Sequence, residues 1–176
     1  ANIKEINVNV DENAAGILAS AGVGSTGNLN INFLSGKMTI KGVNADGINA
    51  SHNGTGNVTI QSTGDISIKA KSGAGSPVEG IWAVAQNGSI SAGSILNATK
   101  GNFDIFGTDA GAVGIGLTSN ATGLALASFI YADAAGHIDV QSDTTLGAVA
   151  KGISVSSAAS GVAAQDQTTS QIHIKD

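Results

Sequence analysis

The chain has 176 residues with 25 glycines, one proline, no cysteine, no arginine and a formal net charge of −5. An apolar content of 41% with only 12% charge excludes a disordered chain, and the length fits one domain over residues 1–176, or one stretch of a longer array. Eight scattered lysines exclude nucleic acid as a partner, since phosphate recognition needs clustered cations; no apolar run approaches the ~18 residues of a membrane-spanning helix.

In chain order, the first recognisable element is INVNV, with Ile6, Val8 and Val10 alternating with polar residues. Next comes AAGILAS, a small residue three before an Ile that follows Gly. GNLNINF and GKMTIKG then alternate apolar and polar residues, and ADGINAS returns to the Gly-Ile pattern. The cycle repeats as GNVTIQS, GDISIKA and VEGIWAV, then as GSISAG, GNFDIFG and AVGIGLT. It closes with GLALAS, GHIDVQS, AKGISVS, GVAAQ and SQIHIKD. The Gly of the Gly-Ile pair falls at Gly16, Gly47, Gly80, Gly114 and Gly152, with gaps of 31, 33, 34 and 38 residues. Self-similarity at such a period signals a repeat architecture. The period-2 alternation and the frequent glycines are wrong for helices and right for short strands with one face in and one face out.

Three strands per repeat, each bounded by Gly or Asn, describe one coil of an all-β, single-stranded parallel β-solenoid of about five coils. The bias of parallel crossovers makes it a right-handed β-helix. Equivalent strands stack about 4.8 Å apart, so like residues form columns. The predicted core ladder is Ile17, Ile48, Ile81, Ile115 and Ile153 from the first strands, and Met38, Ile66, Phe103, Ile138 and Ile172 from the third. The Gly before each Ile is expected to turn a corner at positive φ. The small residue three before the Ile is expected where the chain bends tightly over the core, and the position between it and the Gly reads as free.

INVNV and SQIHIKD both read as third strands, so the sequence enters and leaves in the same phase. Neither end carries a polar cap, which implies more protein beyond one or both ends, covalently or by assembly. The start at Ala1 suits a processed terminus or an excised piece.

The phrases ADGINASHNGTGNVTIQSTGDISIKA and AKGISVSSAASG resemble the β-helical passenger segments of bacterial type V secretion proteins, the autotransporter and filamentous-haemagglutinin-like exoproteins. The similarity runs along essentially the whole chain, although A-x-G-I-x-A and G-x-I-x-I report coil geometry rather than chemistry. It implies a secreted, cell-surface scaffold, stalk or adhesin, with a receptor or glycan as partner. The signal peptide and translocator barrel of an autotransporter are missing from the 176 residues. A subunit that stacks end to end into an extracellular filament is the alternative, and a carbohydrate-active β-helix enzyme is the third reading.

Catalytic, cofactor and metal residues are expected to be absent. Asp104 and Asp139 stack as near neighbours with Asp65 out of register, and read as a solvated face. His52, in the turn ASHNGTG, and His137 and His173, at outward or corner positions, sit in different phases of the repeat without converging ligands and read as surface residues. Trp82 and Phe106 each follow an inward Ile and so point outward as possible surface contacts. The segment around Phe129, Ile130 and Tyr131 is expected as an extra hairpin or packing surface in the longest coil. Sequons at Asn53, Asn57, Asn87, Asn97 and Asn120 are candidate glycosylation positions.

Overall fold

A computed structural model describes residues 4–71, 77–88, 90–93, 95–96, 99–108, 111–122, 129–134, 137–143, 150–160 and 169–174. All regular structure among them is β. The strands are β1 Glu5–Ala21, β2 Leu29–Phe33, β3 Lys37–His52, β4 Val58–Ser62, β5 Asp65–Lys71, β6 Val78–Ala85, β7 Ile90–Gly93 and β8 Ile95–Leu96. They continue with β9 Thr99–Lys100, β10 Phe103–Thr108, β11 Ala112–Thr122, β12 Phe129–Ala134, β13 Ile138–Asp143, β14 Ala150–Ser160 and β15 Thr169–Ile174.

Every pairing except β8 with β9 is parallel, and partners are one coil apart in sequence. The protein is a parallel β-solenoid. β3 carries the third strand of one coil and the first strand of the next without a break, pairing with β5 through Lys37–Val43 and with β6 through Asp46–His52. Its bend holds Asn44 at φ 44°, with the side-chain amide donating to Asn13 Oδ1 at 3.0 Å. In the neighbouring β1 the register slips at the same corner, between Asn9 and Ala15. The second strands form their own sheet in the order β15-β12-β7-β4-β2.

Like residues stack as columns. Ile17, Ile48, Ile81, Ile115 and Ile153 are mutual register partners, and the middle three are fully buried. Ile6, Met38, Ile66, Phe103 and Ile138 form the facing column, with Val8, Ile40, Ile68, Ile105 and Val140 beside it. Each fully buried Ile contributes roughly 1.5–3 kcal/mol. The second sheet adds Ile31, Ile60 and Ala92 in one column. The fully buried core runs about three turns, from the level of Ile48 to that of Ile115, which is shorter than the expected five coils.

Three expectations are corrected. Ile172 does not continue the Ile138 column: β15 pairs with β12, placing Ile172 opposite Ala132 in the second sheet. The last described strand is therefore a second strand, and the matching phase of the two ends disappears. Phe129–Ala134 is no extra hairpin but the second strand of its coil, pairing with β7 and β15; GLALAS (123–128) and GVAAQ (161–165), expected there, lie outside the described residues.

The third correction concerns the glycine column. Among the described glycines only Gly24 and Gly36 have positive φ; none of the Gly-Ile glycines does. All of them but Gly152 are required by close approach instead. A Cβ on Gly47 would strike Gly80 O, one on Gly80 would strike Gly114 O, and one on Gly114 would lie 2.5 Å from Gly152 O. The same hypothetical Cβ atoms would meet Ile66 Cγ2 (2.8 Å) and Ile138 Cγ2 (2.8 Å) from the facing column. The missing side chains let the two first- and third-strand columns close against each other.

Candidate functional site

Outward positions of the first strands form columns as regular as the inward ones. The position between the small residue and Gly holds Ala15, Asp46, Glu79, Val113 and Lys151 in register. This position, free in the repeat pattern, brings two carboxyls onto adjacent coils about 4.8 Å apart along the stack. The column after the Ile holds Leu18, Asn49, Trp82, Gly116 and Ser154. Trp82 therefore stands outward beside Glu79, half-buried.

Asn44, Asp46, Asn49, Pro77, Glu79 and Trp82 line an open cleft of about 250 Å³. Asp46 Oδ2 accepts a hydrogen bond from Asn49 Nδ2 at 2.6 Å. Glu79 is only 9% exposed, and no hydrogen-bond donor reaches its carboxyl among the described residues. Its Oε1 lies over Gly116, where a Cβ would come within 2.6 Å of it. The glycine that breaks the outward column thus makes room for the acid of the preceding coil.

The electrostatics follow from this placement. Burial pushes the Glu79 carboxyl up from 4.5 to about 8, and the neighbouring Asp46 charge adds to the shift. Burial also raises Asp46 above its ordinary 3.8, partly offset by the Asn49 hydrogen bond. At neutral pH, therefore, Glu79 holds a proton.

A second cluster lies on the third-strand face. Asp104 and Asp139 are register partners, and His137, two residues before Asp139, completes a trio whose ligand atoms lie within 4.8 Å of one another. The expectation that no histidine meets an acid is corrected here, because positions i and i+2 share one face of a strand. Asp104 and His137 are exposed, and Asp139 already accepts from Gln141 Nε2 at 2.9 Å. The trio could hold a divalent cation through mixed N and O donors. Ser67 occupies the register position below Asp104, and Asp65 falls in the preceding corner column. There Asp65 Oδ1 accepts from the backbone and side-chain amides of Asn102, at 3.1 and 3.0 Å. Phe106 points outward, with Lys69 Nζ 5.7 Å above its ring.

His52 is not a surface residue. It is fully buried at the corner before β4, its Nδ1 accepting from Gly54 N–H at 3.1 Å and its Nε2 donating to Gly27 O at 2.7 Å. These partners fix the Nε2–H tautomer. His173 falls in β15 opposite Asp133, away from the other two histidines in register. Of the sequons, Asn53 and Asn57 are exposed, Asn87 and Asn120 are half-buried, and Asn97 lies outside the described residues.

No family model, curated protein or solved structure matches the chain.

Sequence reasoning missed the Asp46–Glu79 pair. The only signal was the register itself: aligning the Gly-Ile motifs of coils two and three puts the two acids in one column, with Trp82 three residues beyond Glu79.

Proposed function

We propose that the protein is an extracellular, non-enzymatic structural and adhesive β-solenoid: a cell-surface scaffold or stalk whose outward columns present a contact surface. The observation that carries this reading is the in-register stacking of strands from successive coils, which gives regular rows of outward residues. The sequence resemblance to type V secretion passenger segments supports the location, and a cell-surface receptor or glycan is the partner it suggests. Beads coated with the protein test the reading. Saturable attachment to cells or to an immobilised glycan, without release of new reducing ends, is expected; release of reducing ends from a polysaccharide would overturn it.

End-to-end assembly into a filament is the second reading, favoured by the first described coil. Among the described residues β1 pairs with β3 alone, and its other edge carries no described strand. Leu18 at 71% and Val10 at 43% exposure lie on that coil, while Ile6, Val8 and Ile17 are only partly buried. A terminal coil of a second copy would complete the ladder. Electron microscopy of concentrated protein should then show fibres that removal of residues 1–10 abolishes; persistent monomers would refute the assembly.

A further inference from the structure

We propose that the cleft between Asp46, Glu79 and Trp82 is a binding site for an alkylammonium group, with the two carboxylates facing the cation and the indole walling its alkyl stem. The proposal goes beyond the structural reading and does not depend on whether the solenoid is adhesive.

The argument starts from an imbalance. Two acids occupy one column on adjacent coils, and among the described residues no lysine lines the cleft they share. Lys151 stands in the same column, but Val113 separates it from Glu79. An acid as buried as Glu79 normally has a cation or hydrogen-bond donors against it. Glu79 has neither among the described residues, yet it lines an open cleft. A positive group entering there supplies the missing partner for both acids.

The shape selects the kind of cation. A cleft of about 250 Å³ is large for a bare ion and suits an ammonium on a short alkyl chain. Calcium takes six to eight oxygens, whereas here one Asp46 oxygen is already held by Asn49 at 2.6 Å. Trp82 offers the best aromatic face for a cation. Pro77 also lines the cleft and adds a second apolar contact. The cleft faces solvent, so it admits a free amine as readily as a lysine side chain from another protein.

Protonation adds a signature. Because Glu79 holds a proton up to about pH 8, an ammonium that needs its carboxylate must displace that proton. Affinity therefore rises as pH rises through the Glu79 titration. Among the described residues Asp46 is the other titratable group lining the cleft, and it is raised in the same sense.

Trp82 is the sole tryptophan, so its fluorescence reports on this cleft alone. The intact chain is titrated with n-butylammonium chloride at about pH 9, above the Glu79 titration, and at constant ionic strength, with n-butanol and calcium chloride in parallel. The expected result is saturation by butylammonium at millimolar concentration or below. Asp46→Asn and Glu79→Gln should each weaken it roughly tenfold, the scale of one lost charge-assisted contact. Thermal melts of both variants check that the solenoid remains folded. A blocked lysine tripeptide and its Nζ-acetylated form distinguish the sources. Tighter binding of the tripeptide than of butylammonium assigns a protein side chain, and weaker binding assigns a free amine. An equal response to n-butanol, tighter binding of calcium, unchanged binding in both variants, or no saturation would each overturn the proposal.

Discussion

Replacing Glu79 by Gln should change how stability depends on pH, and the structure gives both the sign and the scale. In the folded chain Glu79 holds its proton to about pH 8, whereas the ordinary carboxyl releases it near 4.5. Between those values the folded state binds more protons than the unfolded one, so stability falls as pH rises. Below pH 4.5 the cost of the charge is absent; above about 8 it is fully developed. The whole interval corresponds to a ceiling of roughly 5 kcal/mol. Water on the open side of the cleft relaxes the buried charge, which brings the expected loss to about 2–3 kcal/mol. Urea unfolding of wild type and Glu79→Gln at pH values from 5 to 9 measures it, because the difference between the two curves isolates this one carboxyl. The gap should widen in favour of the variant as pH rises and level off above the Glu79 titration. Parallel curves, or a gap that narrows with pH, would refute the burial argument. Asp46→Asn should move the transition to lower pH without abolishing it, since burial is the larger cause and the Asp46 charge the smaller.

Other predictions follow from packing. Gly80→Ala drives a Cβ into Gly114 O and near Ile105 Cδ1, and should cost about 2–4 kcal/mol in urea unfolding. Gly152→Ala, in the same column but with open space around it, should stay within about 0.5 kcal/mol. Ile81→Ala empties the middle of a fully buried column and should cost roughly 2–5 kcal/mol by the same assay. His52→Ala leaves Gly27 O and Gly54 N–H without their partner at a buried corner; a loss of about 2–4 kcal/mol in thermal or urea unfolding is expected.

The fold was legible because a solenoid repeats its geometry in its sequence. Once the Gly-Ile spacing is seen, Ile48, Ile81 and Ile115 have only one place to go, and the register follows from strand alternation. The reason for the glycines was not legible, since positive φ and close approach leave the same residue in the same place. Strand phase failed where loops differ in length: SQIHIKD has the alternation of a third strand, but the pairing of β15 with β12 makes it a second strand. Alternation names a face, and only the neighbouring coil names a sheet. His52 was misread for a related reason: a polar residue in a turn looks exposed until the next coil closes over it. The candidate site was the least legible part. Asp46 and Glu79 each sit at a position the motif leaves unconstrained, so no single repeat marks them. Their significance arises from stacking: register brings the two acids together, Gly116 makes room, and Trp82 walls the side.

The stacking of coils is tested most directly by nuclear Overhauser contacts among selectively labelled isoleucine methyls. Successive contacts should run from Ile17 to Ile48, Ile48 to Ile81, Ile81 to Ile115 and Ile115 to Ile153, each between next neighbours in the column. An Ile81 that touches neither Ile48 nor Ile115, or contacts that skip a level, would contradict the solenoid and everything built on its register.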